Sequence, residues 1–146
     1  MSDAETSNAF QVSLHSALTS QQHEILLREA QSHELPEVAK LVKDTLENFP
    51  EAGDVLASTF KRLHNLPEIM QNHDIKLYIA ISEQSNFIVG AAFYGPLAGL
   101  PISEGIGEIR DLVIDKNYRR CGLGRKLLVT ILGKARDLGY HRIYLE

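Results

Sequence analysis

Between Glu108 and Leu128 the chain reads EIRDLVIDKNYRRCGLGRKLL. An apolar stretch passes within a few residues into a basic turn with two glycines, and that turn opens a stretch whose apolar residues recur every three or four positions. A strand, a tight turn and a helix in this order leave little freedom. The turn's backbone N–H groups and the positive end of the helix dipole meet at one place, and both favour an anion there. Phosphate or pyrophosphate is the ligand class that fits. Gly122 and Gly124 are the positions where the backbone would approach it closely, with amides from Arg120 to Arg125 as donors. The side chains of Arg119 and Arg125 would add charge-assisted contacts. Read by itself, Gly-x-Gly equally marks a helix start flanked by solvated arginines.

Spacing excludes two other phosphate loops. A dinucleotide fingerprint needs three glycines in a βαβ unit and an acid about 20 residues later. Only two glycines here are correctly spaced. A nucleotide P-loop ends in Gly-Lys-Ser/Thr, whereas this turn ends in Gly124-Arg125-Lys126.

The rest of the composition narrows the partners. A length of 146 residues gives one domain with a real core. The formal net charge of -4 argues against a nucleic-acid partner, and the basic cluster Arg119, Arg120, Arg125 and Lys126 suits a small anion in an otherwise acidic chain. Cys121, the only cysteine, excludes an internal disulfide and a cysteine metal cluster; no metal site is expected. No run approaches the roughly 18 apolar residues of a membrane span. The first 22 residues lack the apolar core of a signal peptide, so the cytoplasm is the expected compartment.

Met1 to Gln22 reads as a polar arm, with Phe10, Val12 and Leu14 alternating as a short docked strand would, and residues 23–146 as the domain. Glu24 to Ala30 is the first strand. Ser32 is placed to cap a helix carrying Leu35, Val38, Val42, Leu46 and Phe49 on one stripe, with Pro36 tolerated in its first turn. A second helical stretch from Asp54 is broken or restarted at Pro67. Strands follow at Lys76–Ser82, Phe87–Tyr94 and Ile106–Ile114, then a helix from Gly122 to Leu138 and a strand from His141 to Leu145. The pattern itself gives an α+β or α/β domain.

At Arg119, Gly122 and Gly124 the chain resembles the GCN5-related N-acetyltransferases, whose signature is Arg/Gln-x-x-Gly-x-Gly/Ala. The likeness extends through Ile109 to Leu128, and LREAQSHELPEVAKLV resembles the family's usual opening, so it spans about residues 24 to 146. It implies a mixed α+β acyl-CoA N-acyltransferase fold that is incomplete at its C-terminal end, because the family continues with a helix and a strand pair. A symmetric homodimer, a completing partner chain or the folded-back arm would cover the face so exposed. The resemblance implies acetyl-CoA or CoA as cofactor. Its pantetheine arm would lie along Leu112, Val113 and Ile114, in a V opened against the His141–Leu145 strand. The diphosphate would sit on Arg119, Arg120, Cys121, Gly122, Leu123, Gly124, Arg125 and Lys126. It implies direct acetyl transfer to a primary amine of a small molecule or peptide.

Glu108 is the candidate base, with the Val113 amide polarising the acetyl carbonyl. Strand alternation puts Glu108 on one face with Arg110 and Leu112 unless a bulge intervenes, and Asp111 on the other, as a brace. Tyr94 would line the acceptor site or simply pack. Tyr118 is structural in relatives, and Glu104 is the one charged group of the loop between Gly95 and Gly105. His64 and His73 fall in the region that shapes the acceptor pocket, without metal-ligand spacing. The alternative is a non-catalytic acyl-CoA-binding or regulatory protein completed by a partner chain.

Overall fold

A computed structural model describes residues 24–48 and 53–145. They form strand β1 (Ile25–Glu29), helix α1 (Leu35–Glu47), helix α2 (Gly53–His64) and the single-turn helix α3 (Leu66–Ile69). Strands β2 (Lys76–Ser82), β3 (Ile88–Pro96) and β4 (Ile106–Ile114), helix α4 (Leu123–Asp137) and strand β5 (Arg142–Leu145) follow. The sheet order is the chain order, antiparallel from β1 to β4 and parallel between β4 and β5. The expected sequence of elements is therefore the observed one. Phe10, Val12, Leu14 and Phe49 lie outside the described residues.

The sheet is covered on both faces, which is why β2 and β3 read as almost unbroken apolar runs. Leu77, Ile79, Phe93 and Val113 meet Val38 and Val42 of α1 on one face. Tyr78, Ala92 and Ile109 meet Leu127, Ile131 and Ala135 of α4 on the other. Ile79, Leu127 and Ile131 have no solvent exposure. Burying each such side chain stabilises the fold by about 1.5–3 kcal/mol.

The entry to α1 corrects one expectation. Ser32 is not the cap: it opens a 3-10 turn over Ser32–Glu34, and Glu34 closes the junction. Glu34 Oε1 accepts from Gln31 N–H at 2.8 Å, and both its oxygens accept from the Arg28 guanidinium on β1, at 2.9 and 2.7 Å. A two-pronged fork is the strong form of an arginine–carboxylate pair. Sequence spacing gives no sign of it, because Arg28 on β1 and Glu34 at the entry to α1 meet only in the fold.

Gly107 stands where β4 is pressed between its neighbours. A Cβ there would meet Gly95 O at 2.8 Å and the Tyr140 ring at 2.9 Å, so a side chain would push β3 or Tyr140 away from the strand that carries Glu108.

The fork carries a pH prediction. Its Arg28 hydrogen bonds, first, and the Gln31 amide hold the Glu34 carboxyl at about 2, below the usual carboxylate range. A folded-state pKa below the unfolded one contributes stability at neutral pH that disappears as pH falls toward 2. Glu34→Gln should lower stability at pH 7 by about 1 kcal/mol, measured by denaturant unfolding, with the difference from wild type shrinking as pH drops below about 4. A difference that stays constant down to pH 2 would contradict this account.

Candidate active site

The site is organised by an irregularity in β4. Phe93 pairs with Arg110 and Ala91 with Val113, so two steps on β3 face three on β4. Asp111 takes up the extra residue at φ 54°, a left-handed conformation rare outside glycine. The bulge changes the parity of the strand. Glu108 and Arg110 point to the α1–α2 side, and Asp111 joins them in the same cleft. Leu112 turns instead toward α4. The face shared by Glu108, Arg110 and Leu112 under plain alternation is thus not formed, and Asp111 is not on the opposite side.

The cleft is walled by Arg62 and Leu63 of α2, Leu66 and Ile69 of α3, Phe93 to Pro96 of β3, and the three charged residues of β4. Glu108 is 5% exposed and stands 3.6 Å from Arg110 Nε. Asp111 is held by Arg62, Nη2 to Oδ2 2.5 Å, across 49 positions of sequence. The bracing role expected for Asp111 is met, by a partner that sequence reading did not single out. Nothing local marks Arg62; only the fold brings α2 against the bulge.

Tyr94 both lines the cleft and packs, its ring centroid 6.1 Å from that of Tyr78. Burial first, then the nearby Tyr78 and Glu29, push its hydroxyl up to about 12, so it stays protonated. Gly95 and Pro96 are the loop-side residues that line the cleft, while Glu104 is exposed and His64 and His73 are exposed outside it. Among the described residues no group of three or more His, Cys, Asp or Glu side chains is placed to hold a metal ion.

Beyond the bulge the strand has a free edge. β5 pairs with β4 only from Ile106 to Ile109. From Arg110 to Ile114 that edge has no strand neighbour among the described residues. Asp115 N–H donates to Val89 O at 2.8 Å, and Ala91 stands opposite Val113. Backbone direction alternates along a strand, so Val113, like Asp115, turns its N–H to β3. Leu112 and Ile114 face the open edge. The Val113 amide, expected at that edge, is therefore turned to β3 and the Leu112 amide faces the edge instead, while the Val113 side chain is buried in the α1 core.

The turn after β4 bears out the conformation its glycines announced. Asp115 accepts from Asn117 N–H at 2.8 Å and starts a 3-10 turn over Lys116–Tyr118. Arg119 Nε donates to Ile114 O at 3.0 Å, and Cys121 Sγ donates to Tyr118 O at 2.7 Å. Arg120 and Gly122 both have positive φ, 64° and 81°. Gly122 caps α4 with no side-chain acceptor, and the first helical bond runs from Lys126 N–H to Gly122 O at 3.0 Å. The amides of Leu123, Gly124 and Arg125 precede that bond and have no acceptor within the helix. A Cβ at Gly122 would meet nothing within 4 Å, and one at Gly124 only Ile114, at 3.6 Å. The space over the helix N-terminus is therefore open, rimmed by the exposed Arg119, Arg120, Arg125 and Lys126. Uncapped amides, an open surface and four cations fit a diphosphate.

Residues 36–146 match the acetyltransferase (GNAT) family, and the chain belongs to that family. Among solved structures, a ribosomal-protein-alanine N-acetyltransferase from Brucella melitensis is 26% identical with a TM-score of 0.64, covering 81% of this chain and 71% of its own. An acetyltransferase from Trypanosoma brucei is 23% identical with a TM-score of 0.62, covering 84% and 82%. An aminoglycoside acetyltransferase from an uncultured soil metagenomic sample, solved with sisomicin, is 21% identical with a TM-score of 0.64, covering 86% and 78%. No curated protein matches the chain by sequence.

The clasp between α2 and the bulge can be tested alone. Arg62→Ala, Asp111→Asn and the double variant should give a coupling energy of about 1 kcal/mol in denaturant unfolding. Strictly additive effects would mean the pair does not hold the bulge.

Proposed function

We propose that the protein transfers the acetyl group of acetyl-CoA to a primary amine of a small molecule or peptide. The observation that carries this reading is the continuous path from the buried Glu108, along the unpaired β4 edge, to the uncapped N-terminus of α4. When bound, the cofactor supplies an acyl group activated as a thioester. The turn from Arg119 to Lys126 would take its diphosphate through the amides of Leu123 to Arg125, with Cys121 in the wall of the same turn. The open-edge backbone groups of Leu112 and Ile114 would hold its amide-bearing arm.

Within that arrangement the Leu112 N–H would be the donor available to the acyl oxygen. Glu108 accepts the proton the amine nitrogen gives up, directly or through one water. Arg110 Nε stands 3.6 Å from Glu108 Oε1, beside the position where that proton would be taken up. The acceptor enters from the cleft under α2 and α3, on the face where Glu108 points. Two of the similar solved structures are a ribosomal-protein-alanine N-acetyltransferase and an aminoglycoside acetyltransferase, so family membership supports acetyl transfer to an amine and leaves the acceptor to the cleft itself.

Release of free thiol from acetyl-CoA in the presence of an acceptor amine reads turnover. Glu108→Gln should lower kcat by roughly 10²-fold while leaving the KM for acetyl-CoA little changed. An unchanged kcat would remove Glu108 from the reaction. Cofactor binding without turnover on any amine would favour an acyl-CoA-binding protein over an enzyme.

A further inference from the structure

The cleft above Glu108 has a composition that selects among amines. Its floor and walls are Leu63, Leu66, Ile69, Ile75 and Phe93, all apolar. Among the described residues its charged lining is Arg62, Arg110, Glu108 and Asp111, two of each sign. Each carboxylate stands within ion-pair distance of an arginine, Asp111 of Arg62 and Glu108 of Arg110. Among the described residues the lining charges therefore cancel, and none of them adds a surplus of negative charge to the space where an acceptor would sit.

From this we infer that the acceptor is an amine with one positive charge and a compact apolar substituent, an aryl or branched alkyl group, rather than a polycation. The inference rests on the reading of this cleft as the acceptor side of an acetyltransferase. A single amino group reaches Glu108, and the apolar substituent displaces water from Leu66, Ile69 and Phe93, which is favourable in proportion to the area covered. A polyamine or an aminoglycoside would bring further ammonium groups against those apolar walls and against Arg62 and Arg110. Those charges would lose hydration with no carboxylate to replace it. The Arg62–Asp111 clasp contributes by occupying the carboxylate a second ammonium would need.

Calorimetric titration of three probes, 2-phenylethylamine, spermidine and kanamycin, into the protein decides the matter, with and without saturating CoA. 2-Phenylethylamine should bind at least tenfold more tightly than either polycation. Ile69→Glu, which puts a surplus acid on the half-buried wall, should narrow or reverse that ratio, whereas Ile69→Ser should weaken 2-phenylethylamine without favouring spermidine. Circular dichroism establishes that the variants are folded. Tighter or equal binding of a polycation overturns the inference, as does failure of all three to bind at millimolar concentration, or a ranking unmoved in folded Ile69→Glu. A titration of CoA itself into the same sample reports separately on the acetyl-CoA reading, so the two can fail independently.

Discussion

The left-handed backbone of Asp111 in the middle of β4 governs both halves of the site. Before it, Glu108 and Arg110 face the cleft under α2 and α3; after it, the side-chain parity is reversed and Leu112 packs toward α4. A straight strand could not present a carboxylate to one face at Glu108 and still seat Val113 in the α1 core. The extra residue also adds local twist where β5 stops pairing, past Ile109. An aspartate at positive φ is held there at some cost in backbone energy. Arg62 offsets that cost from α2, and by doing so ties the wall of the cleft to the strand that carries Glu108.

The second half of the site depends on what α4 lacks. A helix of 15 residues would ordinarily begin with a side-chain cap; this one begins with Gly122 and no side-chain acceptor. Its first amides have no acceptor within the helix, and its buried face is anchored by Leu127, Ile131 and Ala135 against the sheet. Anchoring matters because an anion site made of backbone amides is only as rigid as the helix that presents them. The Arg119 side chain, tied back to Ile114 O, joins the end of β4 to the turn, so cleft, strand edge and turn form one connected surface.

Much of this was legible in the residues. The 3.6-residue stripe of Leu127, Ile131 and Ala135 and the glycines at 122 and 124 gave the strand–turn–helix and its anion preference, because both depend on neighbours in sequence. The limits of β2 and β4 followed from apolar runs bounded by polar turns. What local pattern does not encode is register. The bulge at Asp111 follows from pairing with β3, so plain alternation put Asp111 on the wrong face, kept Leu112 beside Glu108, and turned the Val113 amide to the open edge that Leu112 faces. Arg62 is a tertiary partner 49 residues away from Asp111 and carries no motif. The Arg28–Glu34 fork was hidden for a similar reason, since β1 and the start of α1 meet only in the fold.

The central claim is that the amides and cations from Arg119 to Lys126 hold the diphosphate of an acyl-CoA. The most direct measurement compares CoA with pantetheine, which lacks the diphosphate, by calorimetric titration into the wild-type chain and into a folded Arg119→Ala, Gly122→Ala variant. The account predicts that CoA binds wild type at least tenfold more tightly than pantetheine does, and that the variant loses most of that difference. Equal affinities for the two ligands, or CoA binding unaltered in the variant, would contradict it.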